Sequence, residues 1–455
     1  MEILLNQYQY RPKEPDFVID FNKIIGPIKP VNGTCNAPTE RTAKYFKKVR
    51  PSYTRLHDSF IHHLACVDVP AIFPNFDADE NDPKNYFFAP TDYYIKSIKD
   101  TGMDIVYRLG NSMEGGPFRF HNQPPKDFEK WARICCRIIE HYNHGWADGF
   151  TYDIRYWEIW NEPDADLGRS AMAMAGQWSG TPEQFYEFYC VASSVLKNRY
   201  PELKFGGYAS CAVDEPSRRI FFEGFLTALQ KAPHAFDFFS FHAYGDSFKK
   251  LRDRVHYITQ SLENNGFSDI ELLCTEYNYF WEFEDIWPKL GDPNGEYFRA
   301  ALFEEMRSAR AASYILGAMI TFQNLPVQIA NFYRTDGGGG WDTCFDPHGV
   351  PQKPYYALMA FHEVSGMNQI ECTGGADGVL VLAAKSNAEK VILIANYEGV
   401  AREYKFETAG LPEKYEARFF VTDNNNDHAQ TGVLGPLPEV LYLRPGSITV
   451  IKITE

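Results

Sequence analysis

Two glutamates end apolar stretches of this chain, and both could carry acid–base chemistry. The first, Glu162, ends the aromatic run Tyr156–Asn161 and is followed directly by Pro163. A run of this composition is typical of a strand, and a proline stops the strand and holds the residue before it in extended or turn geometry. The second, Glu276, ends the apolar run Leu272–Thr275. Both carboxyl groups are therefore predicted to lie at strand ends.

Paired carboxylates at strand ends point to the cleavage of glycosidic bonds. The strand ends of a parallel α/β barrel meet at its carboxyl face, where such proteins keep their chemistry. Two carboxyl groups across a cleft are the minimal machinery for this reaction, because one protonates the leaving oxygen while the other attacks or activates water. One strand-end glutamate alone would more simply be a solvated or salt-bridged residue. Two at matching barrel positions favour catalysis.

The elements that must position these glutamates alternate between short apolar runs and helical patterns. The candidate strands are Val31–Asn36, Tyr53–His57, Asp104–Leu109, Arg155–Asn161, Lys204–Tyr208, Phe236–His242, Ile270–Thr275 and Ala318–Gln323. Helical patterns between them include Asp127–His141, Pro182–Asn198 and Ser247–Asn264. Thr181 is a plausible N-cap for the second of these helices, with Pro182 in its first turn.

Eight strands in alternation with helices predict an α/β fold, a (β/α)8 TIM barrel. In this count Glu162 ends the fourth strand and Glu276 the seventh. A doubly wound sheet is the alternative, but no glycine-rich nucleotide-binding loop follows the first strand.

A second, all-β region is predicted after the barrel. From about Gly366 the pattern changes to strand-like runs separated by turns, at Gly378–Ala383, Lys390–Asn396, Val440–Leu443 and Ser447–Ile453. We predict a catalytic barrel over residues 27–365 and an accessory C-terminal β-sandwich over residues 366–455. The N-terminal segment, residues 1–26, is expected to add strands to that sandwich.

Composition narrows the classes of partner. A formal charge of −15 argues against nucleic acid as a partner, and no window reaches the length needed to span a membrane. Aromatic residues make up 16% of the chain, enough to serve both as core fillers and as platforms for the apolar faces of sugars. The first residues lack the basic start and apolar run of a signal peptide, so a cytoplasmic protein is expected.

Cysteine and histidine spacing gives no sign of a metal site. The nine cysteines show no CxxC spacing and are expected to be reduced thiols, including the adjacent Cys135 and Cys136. An HExxH motif is absent, and the histidines lack ligand spacing with the cysteines. No metal and no other cofactor is expected.

The chain resembles a known family of glycosidases. The stretches Trp157–Pro163 and Thr275–Asn278 look like the clan of retaining glycosidases that carry catalytic carboxylates on barrel strands four and seven. Within that clan the chain most resembles glycoside hydrolase family 39, the β-xylosidase and α-L-iduronidase family. Supporting stretches are Tyr53–His57, Pro124–Trp131, Ser240–Tyr244 and Pro351–Ala357.

The resemblance implies a role for each residue of the strand-end motifs. Glu162 would be the acid/base and Glu276 the nucleophile, with the two carboxyl groups roughly 5–5.5 Å apart, as retention of configuration requires. The chemistry needs the pKa of Glu162 raised while Glu276 stays ionised. Asn161 would bind the sugar hydroxyl next to the anomeric carbon.

Further residues are expected around the pair. Arg55 would orient Glu276 and keep it ionised, and His57 would bind a sugar hydroxyl. His242 and Tyr244, at the end of the sixth strand, are expected to contact Glu276 or the sugar. Glu158 has the strand parity of Glu162 and is interpreted as a buried structural carboxylate paired with an arginine such as Arg108.

Two loops are candidates for the wall of the sugar pocket. Trp281, with Tyr279 and Phe280, follows the nucleophile, and Trp341, with Asp336 or Asp342, follows the eighth strand. A basic cluster for a uronate carboxylate is not obvious, although Arg334 could serve. A neutral pentose or hexose therefore ranks above iduronate.

The sequence and the resemblance together predict a retaining exo-acting glycoside hydrolase, best described as a β-xylosidase that releases single sugars from oligosaccharides. A β-galactosidase, an α-L-arabinosidase or an α-L-iduronidase are the alternatives on the same scaffold. A carbohydrate-binding barrel without catalysis is the alternative outside enzymes. A homo-oligomer is possible by analogy with members of the family.

Overall fold

The computed structural model describes residues 14–59, 65–113, 122–165, 177–281, 286–335 and 343–454, which form two compact units. The barrel unit consists of Pro30–Asn278 and Leu325–Gly349, and the sheet unit holds the rest of the described chain. The strands are β1 (Phe17–Pro27), β2 (Gly33–Cys35), β3 (Tyr53–Leu56), β4 (Asp104–Leu109), β5 (Tyr156–Ile159), β6 (Lys204–Ser210), β7 (Phe238–Gly245), β8 (Glu271–Tyr279), β9 (Ile329–Phe332), β10 (Asn368–Gly374), β11 (Val379–Lys385), β12 (Lys390–Asn396), β13 (Arg402–Ala409), β14 (Glu416–Thr422), β15 (Ala429–Leu434), β16 (Val440–Leu443) and β17 (Ser447–Thr454). The α-helices are α1 (Ala43–Val49), α2 (Val69–Ile72), α3 (Ala89–Lys99), α4 (Phe128–His144), α5 (Pro182–Arg199), α6 (Pro216–Leu229), α7 (Phe248–Asn264), α8 (Ile286–Gly291), α9 (Glu296–Met306), α10 (Ala309–Gln323) and α11 (Lys353–His362), and a 3-10 turn covers Pro83–Asn85.

Strands β2 to β9 close into a parallel barrel in chain order. The last strand returns to the first, with Gly33 opposite Asn331 and Thr34 opposite Phe332. The predicted barrel is therefore confirmed. Glu162 lies three residues beyond its fourth strand, β5, whereas Glu276, predicted at a strand end, lies within its seventh strand, β8, which continues to Tyr279. The carboxyl ends of all eight strands point to one face, which is the face that collects both glutamates.

An apolar layer fills the amino end of the barrel. It is built from one buried residue on each of five strands, packed against the half-buried Tyr53: Val106, Tyr156, Phe238, Leu273 and Ile329. These residues lie at or near the start of their strands. A packed floor of this kind leaves polar chemistry to the opposite end of the barrel.

The predicted helices form, with ends shifted by a few residues. Helix α5 begins with a capping box: the Thr181 hydroxyl accepts from the Gln184 N–H at 3.2 Å, and the Gln184 amide oxygen accepts from the Thr181 N–H at 2.9 Å. This confirms Thr181 as the N-cap. No helix in the described residues is both long and apolar enough to cross a membrane. Cys135 and Cys136, both in α4, are buried thiols, as expected.

One predicted strand is wrong. Ala318–Gln323 forms the last turns of α10, and the eighth barrel strand is β9, a few residues further on. Every residue of α10 from Ala311 to Gln323 is buried. A helix buried on all sides shows no amphipathic period, so a short apolar segment of it cannot be told from a buried strand by pattern alone.

The sheet unit contains a nine-stranded mixed sheet in the order β15-β14-β17-β12-β11-β10-β1-β13-β16. Strand β1 pairs antiparallel with β10 and parallel with β13, so the described part of the N-terminal segment adds a strand to the C-terminal region. Residues of β1 and of seven later strands share one core, which includes Ile19, Ile392 and Ile451. One face of a single sheet thus curls around a common core. The boundaries 27–365 and 366–455 stay a prediction.

Glu363, just after α11, makes the sheet unit sensitive to acid. Its carboxylate lies 2.6 Å from Lys452 Nζ and 3.8 Å from His428 Nε2. Burial alone would raise the pKa of this carboxyl, but the hydrogen bonds from His428 and Lys452 outweigh burial and lower it to about 2. A carboxyl whose pKa is lower in the folded state stabilises the fold above its ordinary pKa, and this contribution is lost as pH falls.

We therefore expect Glu363→Gln to reduce the fall in the free energy of unfolding at acid pH. Between about pH 4.5 and pH 2, wild type should lose up to about 3 kcal/mol that the variant does not, and less where solvent screens the partly exposed pair. Urea unfolding at a series of pH values measures the difference. Glu407→Gln, at an exposed position of β13, is the matched control. Parallel pH curves for wild type and Glu363→Gln would contradict the expectation.

Candidate active site

Glu162 stands in a tight turn just beyond β5. Trp160 and Glu162 both have left-handed backbone, with φ of +71° and +44°. The Trp160 N–H donates to the Leu109 carbonyl at 2.7 Å, and the Glu162 N–H donates to the Ala209 carbonyl at 3.1 Å. The two neighbouring strands thus hold a conformation that side-chain-bearing residues adopt only at a cost. The residue before Pro163 is in a turn, one of the two geometries predicted.

The two glutamates face each other through one histidine. His242 Nδ1 lies 2.6 Å from Glu162 Oε1 and 3.5 Å from Glu276 Oε2. One oxygen of each carboxylate and a His242 nitrogen all lie within 4.8 Å of one another. Inverting glycosidases separate their carboxyl groups by roughly 6.5–9.5 Å and retaining ones by roughly 5–5.5 Å, so this spacing fits retention.

Arg55, fully buried on β3, joins three acceptors. Its Nη1 donates to Glu276 Oε1 at 2.6 Å, its Nη2 to Asn161 Oδ1 at 2.7 Å, and its Nε to Glu158 Oε2 at 2.6 Å. The predicted contact between Arg55 and Glu276 is present. The partner of Glu158 was predicted to be an arginine such as Arg108, whereas the structure pairs it with Arg55. Strand parity identified Glu158 as inward-facing but not which inward arginine it meets.

Removing the Arg55 charge should destabilise the barrel. Arg55→Met would leave Glu158 and Glu276 buried without their cation, which typically costs about 3–5 kcal/mol. Urea unfolding measures the loss, and Arg155→Met, an exposed arginine next to β5, should change stability by less than about 0.5 kcal/mol. Adding Glu158→Gln to Arg55→Met should recover part of the loss, because one unpaired charge is removed. Strictly additive effects of the two substitutions would contradict the assigned pairing.

Burial controls the protonation of Glu276 and His242. Burial raises the pKa of Glu276, and the Arg55 guanidinium, together with a hydrogen bond from the Tyr244 hydroxyl, works in the opposite direction. The expectation that Glu276 stays ionised thus depends on Arg55 and Tyr244, which offset part of the desolvation. Burial lowers the pKa of His242 to about 4, so its imidazole is neutral near pH 7.

A second buried cluster lies beside the pair, around His57. Arg108 Nε donates to His57 Nδ1 at 3.1 Å, and His57 Nε2 lies 3.3 Å from Asp58 Oδ1. Both ring nitrogens therefore have protein partners, which argues against the predicted contact between His57 and a sugar. Asp58 also accepts from the Met113 N–H at 2.6 Å and from the Tyr333 hydroxyl at 3.1 Å.

Asp58 was not identified from the sequence. Burial raises its pKa to about 6, and its backbone is left-handed, with φ of +52°. Its partner Tyr333 packs edge-on against Tyr244, the residue that donates to Glu276. The sequence feature that could have identified Asp58 was its position directly after His57, at the end of a predicted strand.

The site could also be considered for a metal ion, because Glu162, His242 and Glu276 bring three possible ligand atoms together. Each of these groups already has a hydrogen-bond role. Glu276 Oε1 accepts from Arg55, Glu276 Oε2 accepts from Tyr244, and Glu162 Oε1 pairs with His242. A guanidinium beside the carboxylates repels a second cation. The donor set therefore suits an organic substrate better than a metal.

The predicted aromatic wall has a mixed outcome. Tyr279 and Phe280 are fully buried, and Tyr279 packs against Tyr314 and Tyr397 in the sheet unit, so both are core residues. Trp281 is partly exposed, and its place in a sugar pocket stays a prediction. Trp341, like Asp336 and Asp342, lies outside the described residues.

The chain matches a family model and is similar to solved glycosidase structures. The family model described as glycosyl hydrolases family 39 matches residues 19–310. No curated protein matches the chain. A glucosidase from Croceicoccus marinus is similar in structure, with a TM-score of 0.77, 22% identity, and coverage of 97% of this chain and 99% of that one. A monomeric β-xylosidase from Caulobacter crescentus CB15 follows, with a TM-score of 0.70, 16% identity, and coverage of 96% and 99%.

A third solved structure, the GH39 enzyme from Xanthomonas axonopodis pv. citri, has a TM-score of 0.69 and 14% identity, and the match covers 99% of each chain. At these identities the likeness concerns the fold. The family model is the stronger finding, because it matches well over half of the chain and includes both Glu162 and Glu276. The protein belongs to glycosyl hydrolases family 39 and is a glycoside hydrolase.

Proposed function

We propose that this glycoside hydrolase is a retaining exo-enzyme that removes single neutral sugars by double displacement, with β-xylosides as its best substrates. The observation that carries the proposal is the short approach of the Glu162 and Glu276 carboxylates, within 4.8 Å. No water fits between two carboxylates so close and a sugar, so the second carboxylate must itself attack the anomeric carbon.

The hydrogen bonds support a division of roles between the glutamates. Arg55 and Tyr244 both donate to Glu276, which favours its ionised form as the nucleophile. Arg55 is also shared with Glu158, and Glu162 lies close to Glu276 beside a neutral His242, so this guanidinium, bonded to two of the three buried carboxyl groups, faces three negative charges if all are ionised. One proton held on Glu162 relieves this repulsion and supplies the acid for the leaving oxygen.

Asn161 is oriented to read the sugar. Its Oδ1 accepts from Arg55 Nη2 at 2.7 Å, which leaves the Nδ2 amide hydrogens as donors. A donor beside the acid/base fits the hydroxyl next to the anomeric carbon, where a hydrogen bond strengthens at the transition state.

The choice of a neutral sugar rests on charge. Arg55 and Arg108 are fully buried and hydrogen-bonded to Glu276, Glu158, Asp68 and His57, so neither is suited to a uronate carboxylate. Arg334, the arginine that the sequence offered for this contact, lies over the ring of Tyr333. The solved β-xylosidase and glucosidase relatives support a pentose or a hexose, and the glucosidase makes a β-glucosidase the second candidate. A homo-oligomeric state stays a prediction.

A panel of 4-nitrophenyl glycosides tests the proposal. We expect the highest kcat/KM on the β-D-xyloside, with β-glucoside, β-galactoside, α-L-arabinoside and α-L-iduronide lower. Xylo-oligosaccharides should release xylose from the first minutes, since an exo-enzyme cuts one sugar at a time. Preference for the β-glucoside would change the proposed sugar from xylose to glucose and would leave the proposed mechanism unchanged. Turnover of none of these glycosides would favour a binding barrel and refute the proposal.

A further inference from the structure

We propose that Asp164, helped by Cys211, is a positioning residue that fixes the turn carrying the acid/base Glu162. The inference rests on the proposed function. Asp164 lies two residues after Glu162 and is completely buried, and neither the sequence motif nor the reaction itself calls for a carboxylate there.

The Asp164 side chain joins the turn to the end of β6. Its Oδ2 accepts from the Ser210 hydroxyl at 2.6 Å, and its Oδ1 accepts from the Cys211 N–H at 3.1 Å. From the other side, Arg218 of α6 donates to the Asp164 and Ala165 carbonyls at 3.2 Å and 2.7 Å. Side chain and backbone of the same residue are thus both held.

These hydrogen bonds, here called the Asp164 clamp, stabilise a stretch of backbone whose conformation is unfavourable. Glu162 and Ala209 face each other through one hydrogen bond, and both are left-handed, with φ of +44° and +56°. The Ala209 N–H in turn donates to the Ser240 hydroxyl at 2.8 Å. Conformations of this kind persist only where surrounding contacts determine them, and they gather at functional sites.

Cys211 links the Asp164 clamp to the carboxyl group of Glu162. Burial, together with the nearby Glu162 carboxyl group, raises the pKa of the Cys211 thiol, while the Cys211 backbone N–H donates to Asp164. The end of β6 and the residue after it therefore hold the turn and lie beside the carboxyl group of the acid. Burying the Asp164 carboxylate is unfavourable, since burial raises its pKa to about 6. A carboxylate in that position is better explained by geometry required for catalysis than by stability.

Comparing substrates with good and poor leaving groups distinguishes a role of Asp164 in positioning the acid from a general structural role. A poor leaving group, such as the hydroxyl group of another sugar or a phenol, needs a proton from Glu162, whereas 2,4-dinitrophenolate leaves without one. A displaced acid therefore slows only the first kind of substrate. A misplacement of about 1 Å costs roughly 10²-fold, so Asp164→Ala should lower kcat/KM by about 10²-fold on phenyl β-xyloside and by less than about 3-fold on the dinitrophenyl xyloside.

Asp164→Asn provides the rescue, because its amide oxygen can still accept from the Cys211 N–H and its amide hydrogens can donate to Ser210. We expect this variant to recover most of the phenyl xyloside activity. Asp237→Ala is the matched control. Asp237 accepts from the Phe205 N–H at 2.8 Å and pairs with Lys197, so it makes the same kinds of bond at the opposite end of β6. Its loss should affect both substrates equally.

Ser210→Ala and Cys211→Ala keep the proposal testable if Asp164→Ala does not fold. Each should give a smaller selective loss on phenyl xyloside, of about 3- to 10-fold. Equal losses on both substrates, or no loss, in the Asp164 and Ser210 variants would overturn the proposal. Where phenyl and dinitrophenyl xylosides prove not to be substrates, the same pair of aglycones is used on the sugar that wild type prefers. Failure of wild type on every glycoside would instead count against the proposed function.

Discussion

Glu276→Ala should lower kcat/KM on an aryl xyloside by about 10⁴-fold or more, while substrate binding persists. Without the carboxylate no covalent glycosyl-enzyme forms, and loss of a covalent nucleophile costs on this order. Steady-state rates and binding of a substrate by calorimetry measure the two effects. Binding should survive because Asn161 and the other polar groups of the site are retained.

Glu271→Ala is the control for this prediction. Glu271 is a glutamate on the same strand β8, at its amino end, where it bonds the Tyr156 hydroxyl at 2.9 Å and pairs with Lys204. It should keep near-normal kcat/KM. Azide added to Glu276→Ala should restore turnover and give a glycosyl azide of inverted configuration, because the small anion attacks from the vacated side. Full activity in Glu276→Ala would contradict the assigned role.

Glu162→Gln should lose activity according to the leaving group. On phenyl xyloside kcat/KM should fall by about 10²- to 10⁴-fold, the usual contribution of a general acid. On the 2,4-dinitrophenyl xyloside glycosylation needs no proton and stays fast. Deglycosylation then becomes slow, because the same residue must activate water, so kcat and KM should fall together.

Asp92→Asn is the control for the Glu162 variant. Asp92 pairs with His141 at 2.9 Å, the same type of carboxylate–histidine contact as Glu162 with His242, but on helix α3. Its replacement should leave the leaving-group dependence unchanged. Equal losses on both substrates in Glu162→Gln would contradict an acid/base role.

The sequence was sufficient where local pattern and chain order agree. The apolar run before Glu276 and the aromatic run before Glu162 predict strands, and their order places both on one face of a barrel. Ala318–Gln323 shows the limit, because complete burial of α10 removes the period that distinguishes helix from strand. The boundary of a domain likewise cannot be predicted from a local sequence pattern.

Side-chain partners depended on tertiary structure. Arg55 and Arg108 both point inward, and only the folded barrel decides that Arg55 meets Glu158 while Arg108 meets His57. Asp58 and Asp164 were missed for a similar reason. Each follows a recognised residue of a motif, but its importance comes from strands far away in sequence. A polar residue next to a strand-end motif is therefore worth testing even where the motif does not include it.

Trapping the covalent intermediate tests the central claim most directly. A 2-deoxy-2-fluoro xyloside with a dinitrophenyl leaving group slows both steps but deglycosylation more, so the glycosyl-enzyme accumulates. Mass spectrometry of the intact protein should show one added fluorosugar, and peptide mapping should place it on Glu276, with no label in Glu276→Ala. A label on Glu162 or another residue, or inversion in the first product seen by NMR, would contradict a double displacement through Glu276.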